Sequence, residues 1–553
     1  MNFVLFAEAE AEVIGAERSL FPLIATGLFF LALLVIAAWG MKRTSNTNDF
    51  FLGGRTLGPW VLALSYGAAY FSAVVFIGFA GTYGWLVSFK SMWVGIMNGL
   101  VGSLLAWLVL GRATRRMTRR LNASTVPEFF QARYGSSGMK VVGALMIFIF
   151  LLPYSASVFA GLTYLFKEVF GVSMTTALTV ITLTTGLYLV IGGYKAAARI
   201  DFLQGTIMFF GTLCMVAFVL SYFGEMEGSV DVAIQRASQL YQARLSGDVA
   251  AVQSAPFKPM PSWLFWSVVF MTSIAPWGLP QMAHKYYAIK SEDQIVKGAV
   301  VCCVFATLVG CAAYFIGGFA HLLPEEVLAE TLVKTKDGAT VIDGNMLVPV
   351  MLVRALPQWF LAIVLLLVLS ASMSTLCALA LTSSAALSID LVKGFIAPQA
   401  AEKTHLKIFR LCCAVFILFS YLIALFNPSW IVALTALSWG AICGGFLAPY
   451  IYGLFWRGTT KAGAIAGMAT GLIVSNGIYW GLFIVKGAAT AKSFSPATAS
   501  IAMLVPFIVV PIVSVMTRKL DPKRVALAFE DVAPTTDAAT AAELESAPKP
   551  ENA

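Results

Sequence analysis

The chain has 553 residues, 59% of them apolar and 12% charged, with 37 Lys and Arg against 28 Asp and Glu and a formal net charge of +9. A mean hydropathy of +0.83 excludes a soluble globular enzyme and a disordered chain, and the continuous, non-alternating apolar runs exclude a transmembrane β-barrel. The fold class is therefore all-α and polytopic, a set of membrane-spanning helices in a lipid bilayer.

Residues 1–19 carry no basic n-region and read as an extracytoplasmic N-terminal segment, not a cleaved signal. Apolar runs bounded by charge or Gly/Pro clusters then predict about 13 transmembrane helices, at 20–41, 59–84, 91–111, 141–166, 172–194, 200–223, 263–283, 298–320, 357–389, 406–426, 430–455, 462–485 and 496–517. The segments 224–262 and 322–345 are too polar to span and read as loops on one side. Residues 518–553, rich in Ala, Glu, Pro and Thr beyond Arg524, read as a disordered tail.

Twenty-five of the 37 Lys and Arg fall on one set of loops, 11 on the other and Lys549 in the tail. The positive-inside rule then puts the N-terminus outside and the C-terminus in the cytoplasm. The run Arg112, Arg115, Arg116, Arg119 and Arg120 becomes a cytoplasmic anchor, and no nucleic-acid partner is expected. The eight cysteines lie inside apolar runs without a C-x-x-C, and there are three histidines, so a zinc or haem site has little to build on.

Two spans break the rules of helix chemistry. The second carries SYGAAY, Ser65 to Tyr70, and the seventh carries APWGLPQ, Ala275 to Gln281, with Pro276, Gly278 and Pro280 close together. Prolines that close remove backbone N–H groups and clash with the preceding turn. Freed carbonyls inside a membrane are tolerated only against protein, water or a ligand. If the core is two five-helix halves, about 59–223 and 263–455, each break falls in the first helix of its half. Matching interrupted helices point to a 5+5 inverted-repeat transporter with its site at mid-membrane. In the ninth span, Ala371, Ser374 and Thr375 share one helix face at i, i+3 and i+4. Their oxygens, with carbonyls of an unwound SYGAAYF turn, would form an all-oxygen cage of low charge that suits Na+ better than a divalent ion.

These residues resemble the sodium:solute symporter family, which includes bacterial proline and pantothenate symporters. The resemblance rests on FFLGGRTLGPWVLALSYGAAYFSAVVFIG, TVPEFFQARYG, IGGYKAAARIDFLQG, GLPQMAHKYYAIKS, SASMST and FWRGTTKAGAIAGMATG, which occur in family order between about Asn48 and Gly471. It implies a leucine-transporter-like inverted-repeat core across a transporter domain at 20–517. It implies a multi-pass protein of the bacterial inner membrane in which inward Na+ flow drives uptake of a small organic solute.

Carried over by motif, the family's main sodium site maps onto the carbonyls of Ala68, Phe71 and Ala371 and the hydroxyls of Ser374 and Thr375. Asp201 matches an aspartate associated with sodium passage. Cys377 and Ala378 stand where two-sodium members place hydroxyls, which predicts a single coupled ion. The broken helices nominate Tyr70, Ser72, Trp277 and Gln281 for the solute. Tyr70 replaces the aspartate of the proline branch, and AAYFSA is similar to the pantothenate branch. No Arg or Lys stands near the middle of spans four to eleven, so a carboxylate solute would rely on backbone N–H groups.

Two other functions fit the same scaffold. Proton coupling would need a relay, but Asp201 and His284 sit near span ends. A membrane sensor would need a signalling module, and about 35 residues follow Arg518. No paired acids or Ser/His/Asp set appears inside the spans, which argues against an enzyme, and no obligate protein partner is evident.

Overall fold

The computed structural model describes residues 20–41, 58–192, 194–248, 255–334, 340–426, 430–517 and 520–530. The expected segments 1–19 and 531–553 lie outside them.

After α1 (Leu20–Met41), the chain enters α2 (Pro59–Tyr70) with Pro59 at the first helical positions, where a missing N–H costs nothing. Helix α2 stops at Phe71, whose backbone is extended (φ −89°, ψ 126°). The chain restarts as a wide turn, Val74–Phe79, that runs into α3 (Ala80–Val87). At Ser88 the backbone turns left-handed (φ 51°) and α4 (Met92–Met97), a second wide segment at Asn98–Leu105 and α5 (Ala106–Arg120) follow. Short α6 (Val126–Tyr134) has a capping box: Thr125 Oγ1 accepts from Glu128 N at 3.1 Å, while Glu128 Oε2 accepts from Ser124 N at 2.8 Å. Helices α7 (Ser137–Phe170), α8 (Met174–Gly192) and α9 (Tyr194–Glu227) complete the first half.

The polar stretch expected as a loop after α9 is instead partly helical, as α10 (Val230–Ser246). Ser229 caps it, and Ala233 and Ala237 are buried, so it is amphipathic enough to dock though too polar to span. Arg244 fixes its end: the guanidinium lies 4.9 Å from the Trp85 ring centroid and donates to His321 Nδ1 at 2.9 Å.

The second half opens with α11 (Ser262–Gly278) and α12 (Pro280–Ala288), which bend by 45° at Leu279. Leu279 is extended (φ −74°, ψ 124°), as expected of a residue held before proline. Both breaks thus fall where SYGAAYF and APWGLPQ place them. Helix α13 (Gln294–Gly318) leads to α14 (Glu325–Glu330), a hairpin of β1 (Leu332–Lys334) and β2 (Thr340–Ile342), and α15 (Gly344–Ala355). This region too was expected as loop. Helix α16 (Gln358–Ala385) is buried along nearly its whole length, its Ser and Thr residues included, so it lies inside the bundle. Helices α17 (Glu402–Phe426), α18 (Ile431–Phe455), α19 (Lys461–Lys486) and α20 (Ala488–Thr517) follow. Helix α19 lies at the rim: 22% of its window is buried and Ile473 and Ile484 face outward, as lipid contact requires.

Among the described residues nine helices are long and apolar enough to span, or ten with the bent α11–α12 pair. The expected count of about 13 is not reached on those terms. The second and third spans run together as Val74–Arg120, and the apolar parts of α1 and α8 are short. Part of the expected tail is also ordered: α21 (Pro522–Phe529) is capped by Asp521, and the Phe529 ring lies 5.1 Å from the Arg133 guanidinium.

Candidate functional site

The break after α2 leaves carbonyls without helical partners, and α16 meets them with a hydroxyl. Thr375 Oγ1 lies 3.3 Å from Ala68 O, 3.5 Å from Phe71 O and 3.1 Å from Ala371 O. Thr375 and Ala371 are wholly buried. One hydroxyl proton cannot satisfy three carbonyls, so oxygen lone pairs exceed donors at this point. A hard cation of this size class with oxygens at roughly 2.4 Å spaces neighbouring oxygens about 3.4 Å apart. The observed edges bracket that spacing. The chemistry is neutral and all-oxygen, which fits a monovalent ion.

Ser374, the remaining nominated oxygen, donates to Asp201 Oδ1 at 2.7 Å. Asp201 is not the isolated helix-end acid that its position suggests. It is buried, its other oxygen accepts from Ser65 of α2, and Lys285 Nζ of α12 lies 3.5 Å away. Lys285 also donates to Ser65 Oγ at 2.6 Å and is 1% exposed. Lys285, counted among the loop charges beyond the seventh span, is thus buried against a carboxylate and not free in a loop. Lys285 falls just past the apolar run, but α12 turns inward after Leu279 and carries it against Asp201. A buried charge needs such a partner.

A narrow cavity, with room for about one water, lies beside the first break, lined by Tyr70, Asn98, Tyr154, Thr272, Tyr314 and Trp439 with Val74, Val75 and Phe79. Tyr70 stacks on Trp439 with ring centroids 5.9 Å apart, and Tyr154 meets Trp439 edge-on at 5.4 Å. The Tyr70 hydroxyl donates to Thr272 O, joining α2 to α11 across the cavity.

Of the four residues nominated for the solute, Tyr70 alone is among those lining this cavity. Ser72 turns its hydroxyl to its own backbone, accepting from Val74 N at 3.2 Å. Trp277 donates to Val101 O at 3.0 Å, and Gln281 is buried in α12. Reasoning from the breaks missed Trp439 and Tyr154, which come from α18 and α7. Asn98 and the adjacent Thr272 and Ser273 carried a signal, being polar residues within apolar runs.

The family model described as the sodium:solute symporter family matches residues 50–471. A sodium/proline symporter of Haemophilus influenzae is 30% identical over 464 residues, covering 82% of this chain and 86% of its own length. The osmoregulated proline transporter OpuE of Bacillus subtilis is 27% identical over 477 residues, covering 83% and 90%. Among solved structures, a Na+-coupled sialic acid symporter in a substrate-bound, outward-open state aligns with a TM-score of 0.70 at 15% identity, over 90% of this chain and 98% of that one. That likeness is one of fold.

Proposed function

The chain belongs to the sodium:solute symporter family, and we propose that its coupling ion is held by Ala68, Phe71, Ala371, Ser374 and Thr375 while its solute sits beside Tyr70 and Trp439. It is a multi-pass membrane transporter of leucine-transporter-like fold that couples inward Na+ flow to uptake of a small organic solute. The H. influenzae and B. subtilis relatives are named for proline.

The observation that carries the ion site is the surplus of carbonyl oxygens around Thr375. Dehydrating Na+ costs free energy that only several oxygens placed in advance can return. The cavity touches the same break, so an ion bound to the Ala68 and Phe71 carbonyls fixes the backbone that presents Tyr70. Solute and ion then stabilise one conformation together, which is what coupling by alternating access needs. Asp201 and Lys285, at the far side of Ser374, form the proposed passage for the ion. The basic loops favour an N-terminus outside and a C-terminus in the cytoplasm.

Na+-driven uptake in proteoliposomes tests the ion site. Thr375→Ala removes one oxygen and the pin on three carbonyls, and is expected to raise the Na+ needed for half-maximal rate by roughly 5- to 100-fold, the equivalent of about 1–3 kcal/mol. Unchanged Na+ dependence in both Thr375→Ala and Ser374→Ala overturns the site.

A further inference from the structure

We propose that Asp390 gates the cytoplasmic end of the solute path: held by Thr125 and Lys140, it closes a second narrow cavity that is the shut exit. This rests on the reading of the cavity beside Tyr70 as the place of the solute, and it names the residues that keep the way out closed.

The first observation is a register shared by the two cavities. The second one, with room for about one water, lies where α6, α7, α12 and α16 meet, and Ile147, Pro280, Thr382 and Asp390 are among its walls. On α7, Ile147 stands seven residues before Tyr154 of the first cavity, and Lys140 stands seven before Ile147. On α16, Thr382 stands seven after Thr375 of the proposed cage, and Pro280 stands eight after Thr272 of the first cavity. Seven residues are about two helical turns, so α7 and α16 each present both sites on one face, roughly 11 Å apart. All three displacements run toward the side that carries the basic loops.

The second observation is the set of charges at the far end of that register. Asp390 is wholly buried; its Oδ1 accepts from Thr125 Oγ1 at 2.7 Å and lies 3.7 Å from Lys140 Nζ. Lys140 is shared, because Glu128 Oε1 lies 3.5 Å from the same nitrogen. One cation serves two carboxylates, and Asp390 Oδ2 has no hydrogen-bond partner among the described residues. A buried carboxylate oxygen without a donor is unfavourable. Water entering the cavity would remove that penalty, so the closed latch excludes solvent while being biased toward release.

The third observation is that the latch joins elements suited to part. Asp390 lies in Ala386–Ile396, where α16 gives way to wide turns, and such turns are found mostly at functional sites. Thr125 caps the short helix α6, and its hydroxyl accepts from Glu128 N while donating to Asp390. The cap bond does not use the hydroxyl proton, so Thr125 can release Asp390 and leave α6 intact. Helix α12, on the opposite wall, is the segment redirected at Leu279. A change of that bend would move Pro280 away from Asp390 and open the cavity toward the basic loops.

The test reads the exit directly. Ala386, which lines the second cavity, is replaced by Ala386→Cys in the full-length protein, held in inverted membrane vesicles with Na+ and no added solute. A membrane-impermeant maleimide is applied, and modification at position 386 is followed by peptide mass spectrometry, which separates it from the eight native cysteines. Thr125→Val, which keeps the shape and deletes the donor, and Asp390→Asn should each speed labelling by about fivefold or more. Thr125→Ser, which keeps the hydroxyl, should label at the parent rate. The Na+ concentration for half-maximal thermal stabilisation should shift by less than about twofold in every variant, since the latch lies well away from the cage. Either Thr125→Val or Asp390→Asn suffices if the other does not fold. Labelling of the parent as fast as that of Thr125→Val, or equal acceleration by Thr125→Ser and Thr125→Val, overturns the proposal. Failure of the cavity reading is seen separately, as Na+-driven uptake indifferent to Trp439→Ala.

Discussion

Ser374 donates its hydroxyl hydrogen bond to Asp201 Oδ1 across 2.7 Å. The donation turns the serine lone pairs away from the carboxylate, and Asp201 is in turn held by Ser65 and Lys285. Three helices thus meet at one buried carboxylate, α2 through Ser65, α12 through Lys285 and α16 through Ser374. Removing one member of a buried ion pair strands the other, at a cost of about 3–5 kcal/mol, while neutralising both is far milder. Asp201→Asn and Lys285→Met should each lower thermal stability in detergent sharply. The double variant should recover more than half of the loss; strictly additive losses would refute the pairing.

Stoichiometry follows from the same corner of the molecule. Lys285 already supplies a positive charge to Asp201, and Cys377 and Ala378, one turn beyond Ser374, bring no hydroxyl to a second ion. A thiol is a poor ligand for a hard cation and a methyl is none. One Na+ should therefore accompany each solute, with a Hill coefficient near one for Na+ activation. Measuring the solute gradient that just balances a fixed Na+ gradient checks this. A balance point requiring two ions per solute would mean that other oxygens complete a second site.

The meeting of Thr375 with the Ala68 and Phe71 carbonyls was legible because helical spacing aligns Ala371, Ser374 and Thr375, and because SYGAAYF and APWGLPQ cannot continue a helix. The buried cation was not. Lys285 lies among polar residues just after an apolar run, so it counts as a loop charge until the turn at Leu279 folds α12 inward. Lys140 and Arg133, counted with the same basic loops, are also buried, at 6% and 3% exposed. The aromatic cavity wall was hidden differently. Trp439 and Tyr154 sit in runs where any large apolar residue would pack, and only the meeting of α7 with α18 makes them neighbours of Tyr70.

Close backbone approach gives a sharper packing test. A Cβ on Gly84 of α3 would lie 2.2 Å from the Gly317 carbonyl of α13. The two helices would have to separate, so Gly84→Ala should cost at least about 1–3 kcal/mol. Gly477 of α19 has nothing within 4 Å of its added Cβ, and Gly477→Ala should be neutral or stabilise by up to about 1 kcal/mol. Thermal unfolding of both variants in one detergent separates them.

Glu292, between α12 and α13, accepts from Arg116 Nε at 2.9 Å, and this bond with the neighbouring arginines holds its carboxyl below the usual range. A depressed folded-state pKa contributes stability at neutral pH that disappears as pH falls through that value. Arg116 is 61% exposed, so solvent limits the pair to under about 1 kcal/mol. Glu292→Gln should lower the melting temperature slightly at pH 7 and flatten the acid limb of the stability profile. An unchanged acid limb would show that the pair contributes nothing.

The proposed cage draws its oxygens from two helices, one of them at the point where it breaks off. Ala68 belongs to α2, Phe71 to the extended bend, and Ala371 and Thr375 to α16. Tilting α2 against α16 by a few degrees moves the Ala68 carbonyl relative to Thr375 by a fraction of an ångström, enough to spoil a fitted oxygen shell. Affinity for the ion is then a measure of that tilt, and by reciprocity the bound ion sets it. On the proposed assignment the site would work as a protractor between two helices, and the sodium gradient would act on the transporter by selecting an angle.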